Sequence, residues 1–239
     1  MRKLYMSFVG LFLFTACQAS PKVEKRMDIP SDSKQLLRVT TTNWNDRFGT
    51  MERFEKDGTH WRKVGKPIPV ILGRNGLGWG LGLHQIPKGA KYIKREGDGR
   101  SPAGLFHLGH GFGYEPLQIK FPYKVYTRDY HCVDDSNSKW YNKIINSKRV
   151  ERDYRSFEYM KLRNNLYRYG ITVKHNSGQI KNGGSCIFVH IRSKSNSGTA
   201  GCTAMNQDDI IQVLKWLKPE AKPLLLQLPI IEMRRVKLP

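Results

Sequence analysis

The sequence predicts a mainly β domain, a mixed β-sandwich with a few helices. Three observations point there. Glycine (22), proline (12) and tyrosine (11) are plentiful in 239 residues, the balance of a strand-and-turn protein rather than of a helical bundle. Short β-branched or alternating runs separated by turn residues recur along the chain. Only two segments carry helical periodicity. At 39% hydrophobic and 11% aromatic the chain can build a core, which excludes wholesale disorder.

Order begins with Leu36–Thr42, a β-branched run. Met51–Lys56 and Thr59–Val64 flank Asp57-Gly58 and read as a hairpin, and Ile68–Leu72 reads as a further strand, kept to an edge by its prolines. Gly73–Gly82 is glycine-rich, but no helical pattern follows it, so it does not read as a phosphate cradle. Glu96–Phe106 reads as a turn-rich loop entering a short apolar strand. Phe157–Tyr169 predicts a helix, from Tyr159, Met160, Leu162, Leu166 and Tyr169, capped by Gly170. A second helix follows Asn206, with Ile210, Ile211, Leu214 and Leu217 on one face and Pro219 as its stop. Between the two lie strand-like Ile171–His175 and Cys186–Ile191, and Leu224–Leu228 reads as the closing strand.

The N-terminus reads as an export signal over residues 1–16: Met1-Arg2-Lys3, then apolar Leu4–Phe14, too short for a stable span, then small residues. Phe14-Thr15-Ala16-Cys17 resembles a lipobox, which would make Cys17 a lipid attachment site; cleavage near Ala19 is the alternative. Either places the mature chain outside the cytoplasm, in the periplasm or cell envelope. Residues 17–34 read as a flexible tether, 35–230 as one domain and 231–239 as a basic tail. The net charge of +21 resides almost wholly beyond the signal. For an exported protein it suits anionic envelope polymers and lipid head groups before nucleic acid.

Chemistry-bearing residues concentrate between Cys186 and Met205. His190 stands in a strand pattern, and Cys202 follows 12 residues later after Gly201, at the approach to a helix. A thiol and an imidazole within reach of one another suffice for nucleophilic catalysis. Amides around Gly201 could face an oxyanion, and a helix N-terminus with a basic field would depress the thiol pKa. A buried Cys and a hydrogen-bonded core His are the structural alternative.

Thr199-Ala200-Gly201-Cys202 matches the Ser/Thr-x-Gly-Cys signature of the L,D-transpeptidase (YkuD-like) catalytic domain. Phe188-Val189-His190 is similar to its upstream His strand, and Arg100-Ser101-Pro102-Ala103-Gly104-Leu105-Phe106 to its Thr-Pro-x-Gly-x-Phe segment. The resemblance covers roughly Leu36 to Leu228. It implies Cys202 as nucleophile, His190 as general base and acid, and the Ile191 carbonyl as the group that orients the imidazole. Backbone N–H groups of Ala200, Gly201 and Cys202 would form the oxyanion hole, with no metal or organic cofactor. The implied substrates are peptidoglycan stem peptides, joined to an amine acceptor or trimmed by water, a role in cell-wall biogenesis and cell shape.

The sequence departs from the family at Ala200 and Ala204, where many members carry His and Arg. Arg192 and Lys194 are the substitutes for carboxylate recognition, and His175 is a third candidate for the substrate wall. If Cys202 stays free for this chemistry, Cys132 and Cys186 become the disulfide partners. His107 and His110 are three apart and His131 adjoins Cys132, but no paired Cys or His-Glu motif supports a zinc site there, and Asp134-Asp135 reads as a solvated loop. A hydrolase on the same residues, or a non-catalytic basic envelope-binding protein, are the rival functions.

Overall fold

A computed structural model describes residues 26–237. The strands are β1 (Met27–Asp28), β2 (Gln35–Thr41), β3 (Phe48–Asp57), β4 (His60–Ile71), β5 (Leu77–Trp79), β6 (Ser101–Gly113), β7 (Tyr123–Val125) and β8 (Tyr130–Val133). They continue with β9 (Ile144–Asn146), β10 (Phe157–Tyr159), β11 (Tyr169–Val173), β12 (Phe188–Ile191) and β13 (Thr203–Met205). Helix α1 (Gln207–Trp216) precedes β14 (Leu224–Pro229) and β15 (Val236–Lys237), with 3-10 turns at Pro219–Ala221 and Ile230–Arg235. The fold is mainly β. Among the described residues no helix is long and apolar enough to cross a membrane.

The main strand path runs β11-β12-β13-β4-β3-β2-β14-β6 and returns to β11. Strand β6 makes the closure: Gly104–His107 pairs with β14, and Leu108–Gly113 pairs with β11. Gly104 lies at φ 129°, and a Cβ there would meet the His84 ring at 1.8 Å. The ring fills that space because its Nδ1 accepts the Leu105 N–H at 3.1 Å. A smaller sheet, β10-β8-β9, stands beside the closed path.

The β3–β4 hairpin forms as read, with Gly58 at φ 57° and the paired strands reaching Asp57 and His60. Ile68–Ile71 belongs to that same strand β4, with Leu72 just past its end; the second edge of β4 meets β13 only at Ile71, so Pro67 and Pro69 lie where that edge is unpaired. Helix α1 buries Ile210, Val213 and Leu214, and its C-cap Leu217, also buried, completes the i, i+3, i+4, i+7 spacing; Val213 takes the place expected for Ile211. Asn206 holds the N-cap position in extended backbone, but its side-chain amide donates to Asp209.

Several expectations are corrected. Phe157–Tyr169 is not helical. Phe157–Tyr159 pairs with β8, and the Asn164 side chain accepts the Leu166 N–H, closing a local turn that competes with helix. Gly170 is no helix cap but lies in β11 against the Phe112 ring, which a Cβ would meet at 2.2 Å. Leu224–Pro229 is an interior strand, parallel to β2 and antiparallel to β6, which is why it reads as a continuous buried run. The expected tether and tail both contribute to the fold, since Met27–Asp28 pairs with Val236–Lys237. The expected signal and Cys17 lie outside the described residues.

Candidate active site

The parallel pair β12–β13 sets the site. Val189 stands opposite Thr203 and His190 opposite Ala204, so Cys202, one residue before β13, is level with Phe188. Residues opposite or two apart share a sheet face, which puts Cys202 and His190 on one face. They are one strand over and two residues along, about 8 Å between Cα positions at ordinary sheet spacing, a distance two facing side chains can bridge.

His190 is 7% exposed, and its Nδ1 lies 2.7 Å from the Ile191 carbonyl oxygen. A carbonyl only accepts, so Nδ1 carries the hydrogen and Nε2 keeps its lone pair. Burial pulls the His190 pKa down to about 4, against the opposing pull of the Ile191 carbonyl. Cys202 is 6% exposed; its Sγ accepts the Phe188 N–H at 3.3 Å and donates to the Cys186 carbonyl at 3.5 Å. Burial first, then the Glu158 carboxylate, push the thiol well above its ordinary range. These outweigh the Phe188 N–H, the Lys94 charge and the Tyr167 hydroxyl, which act the other way. The resting pair is therefore neutral thiol and neutral imidazole. The expected depression of the thiol by a helix N-terminus is corrected, because β13 separates Cys202 from α1.

The loop before Cys202 is locked by hydroxyls. Thr199 Oγ1 accepts the Gly201 N–H at 3.1 Å and donates to the Cys202 carbonyl at 2.6 Å. Ser101 Oγ donates to the same carbonyl at 2.8 Å and accepts the Gly73 N–H at 2.8 Å. Gly201 is needed for close approach, since a Cβ would lie 3.1 Å from the Arg100 carbonyl oxygen. Its amide is already committed to Thr199, which withdraws Gly201 from the expected oxyanion set. Ser101 and Gln227 were not singled out in the sequence as site residues. Gln227 accepts from Thr203 Oγ1 at 2.8 Å and donates to the Pro102 carbonyl at 2.9 Å, tying the Ser101-Pro102 turn to β13.

A cleft of about 230 Å³ opens on His190, walled by Tyr167, Arg192, Thr199, Ala200 and Ala204. Arg192 lines this cleft. Lys194 is exposed on the Ser193–Ser197 loop and does not line the cleft. His175 is corrected: it is 2% exposed, its Nδ1 accepts the Leu81 N–H and its Nε2–H donates to the Gly183 carbonyl. Both ring nitrogens are used in holding two loops together, and none is left for substrate.

Cys132 and Cys186 are joined in a disulfide, and Cys202 is the free cysteine among the described residues. His110 Nε2 and His131 Nδ1 are 2.7 and 2.9 Å from the hydroxyls of Tyr126 and Tyr154. Asp135 caps backbone, its carboxylate accepting the N–H groups of Asn137 and Arg155.

The family model of the YkuD L,D-transpeptidase catalytic domain matches residues 45–227. The chain belongs to the L,D-transpeptidase catalytic domain family. That family is one of cysteine-dependent, peptidoglycan-modifying enzymes. The same match accounts for the β-rich architecture. Comparison with curated proteins gives no match. Among solved structures, Bd1075 of Bdellovibrio bacteriovorus is similar at 13% identity and a TM-score of 0.40, over 82% of this chain and 47% of that one. The chain thus spans about half the length of that protein.

Proposed function

We propose that this chain is an L,D-transpeptidase in which Cys202 attacks the carbonyl of the L-centre of the diamino acid at the third stem position. Sulfur bonds to that carbon as the thiol proton passes to His190 Nε2. The same proton then goes to the departing amine as the bond to terminal D-Ala breaks. An amine acceptor resolves the thioester, returning Cys202 to the thiol. The reading is carried by one observation: the Ile191 carbonyl holds His190 with Nε2 free, on the face it shares with Cys202.

Because both partners are neutral at rest, proton transfer accompanies attack rather than preceding it. The N–H groups of Ala200 and Cys202 would hold the oxyanion, and Arg192 at the cleft wall would meet the donor carboxylate. Export, with Cys17 as lipid anchor, belongs to the same proposal and suits the +21 charge to an anionic envelope.

Muropeptide chromatography after incubation with wild type and Cys202→Ala, with and without added amine, tests this. New amine-dependent products with wild type and none with the variant are expected. Products from Cys202→Ala would remove the nucleophile. Trimming alone, unchanged by amine, would make the enzyme a hydrolase, and sacculus binding without turnover by either form would leave a binding protein.

A further inference from the structure

The cleft floor continues past its rim as one in-register row of residues. His190 on β12 stands opposite Ala204 on β13, Ala204 opposite Ile71 on β4, and Ile71 opposite Phe48 on β3. Cross-strand partners share a sheet face, so all four side chains project to the side on which His190 sits. The first three line the cleft. Phe48, the fourth, stands just beyond it, three strand spacings or about 14 Å from His190.

Phe48 is 54% exposed, and the neighbouring pair on that face, Thr50 and Pro69, is exposed as well. The guanidinium carbon of Arg47 lies over the Phe48 ring, 5.1 Å from its centroid, and Arg47 is itself exposed. Backbone bonds tie this corner to the cleft. The Arg47 carbonyl accepts the Leu72 N–H at 2.7 Å, and the Leu72 carbonyl accepts the N–H of Thr199, a cleft-wall residue, at 2.8 Å. A single exposed apolar side chain is ordinary; what distinguishes Phe48 is its place at the end of the row that starts from the histidine.

We propose that Phe48 is a substrate-binding residue, an aromatic platform for the sugar from which the stem peptide hangs. This deepens the transpeptidase reading and rests on it. Arg192 is at the β12 end of the row and Phe48 at the β3 end. A stem whose carboxylate meets Arg192 therefore runs across β13 and β4 toward β3. Three residues lie between the carbonyl under attack and the amino end of the stem, about 10 Å of extended chain. The sugar bearing that end falls just beyond, at the distance of Phe48. One face of a pyranose is lined with C–H groups that an aromatic ring covers as apolar surface, while the Arg47 N–H groups can donate to its oxygens. More than half of Phe48 is uncovered, so covering it is worth about five- to tenfold in affinity.

Calorimetric binding to the full chain carrying Cys202→Ala, which holds ligands without turnover, tests this with two probes: a disaccharide-linked stem peptide and the same peptide without sugar. The sugar-linked probe is expected to bind about five- to tenfold more tightly. Adding Phe48→Ala should erase that advantage and leave the affinity of the free peptide unchanged, and Phe48→Tyr should keep it. An advantage that survives Phe48→Ala, equal losses for both probes, or binding of neither would overturn the platform. Should Phe48→Ala fail to fold, the Phe48 ring proton resonances decide without it: they should shift with the sugar-linked probe and not with the free peptide, and the reverse would refute the assignment. A Phe48-dependent sugar advantage in an enzyme whose wild type yields no amine-dependent product would sink the transpeptidase reading alone. Turnover without that advantage would sink the platform alone.

Discussion

Ser101→Ala removes one hydroxyl that holds two strands to the nucleophile loop. Ser101 is fully buried; its Oγ accepts the buried Gly73 N–H and donates to the Cys202 carbonyl, both at 2.8 Å. Without it the Gly73 N–H has lost its acceptor in the interior, at a cost of about 1–3 kcal/mol. The Cys202 carbonyl keeps the Thr199 hydroxyl at 2.6 Å and so is not orphaned. A loss of about 2 kcal/mol is expected, read as a lower urea midpoint at unchanged slope. Thr199→Val alone should cost about 1 kcal/mol, because Thr199 is only partly buried. The two changes together strip the carbonyl of both donors and should exceed the sum of the singles by roughly 1 kcal/mol. A Ser101→Ala midpoint within about 0.5 kcal/mol of wild type, or strict additivity of the pair, would refute the account of how this loop is held.

Two further predictions follow from burial and cross-linking. The Cys132–Cys186 bridge closes a 54-residue separation, and the chain-entropy relation gives it about 4 kcal/mol. Cys132→Ser/Cys186→Ser should therefore melt well below wild type in non-reducing calorimetry, and a loss under about 1 kcal/mol would contradict this. Stability should also fall with acid. Burial holds His175 and His190 at about 4 in the fold against 6.5 unfolded, so their contribution is complete above pH 6.5 and is lost as pH drops toward 4. Each is worth up to about 3 kcal/mol. Glu158 runs the other way: raised from 4.5 to about 7, it contributes below pH 4.5 and loses that as pH rises through 7. Two histidines outweigh one carboxyl, so the melting temperature should drop between pH 6.5 and 4.5; a flat profile would refute the neutral buried histidines.

The β3–β4 hairpin was legible because Asp57-Gly58 marks a tight turn between two strand-like runs. Helix α1 was legible from apolar spacing at period 3.6, although a small rotation of the buried face exchanged Ile211 for Val213. Phe157–Tyr169 defeated the same logic. Its spacing fits a helix, but Asn164 bonds backbone locally and β8 offers Phe157–Tyr159 a ladder, and neither is visible as periodicity. That error also hid Tyr167, which lines the cleft and packs edge-on against the His190 ring. His175 shows the converse, since a histidine beside Asn176 in a strand pattern looks like a site residue until both ring nitrogens are seen to serve as struts.

By itself the sequence determined the β-rich class, the pairing of a strand histidine with a glycine-preceded cysteine, and the family to which those motifs belong. These follow from local periodicity and ordered short motifs, information carried by neighbours in the chain. Only the tertiary structure decided the direction of the His190 nitrogen, the closure of the strand path through β6 and the two hydroxyls on the Cys202 carbonyl. It also decided the protonation of the pair. Charge on a thiol or an imidazole is set by desolvation and by partners distant in sequence, and burial here outweighs the basic character of the chain.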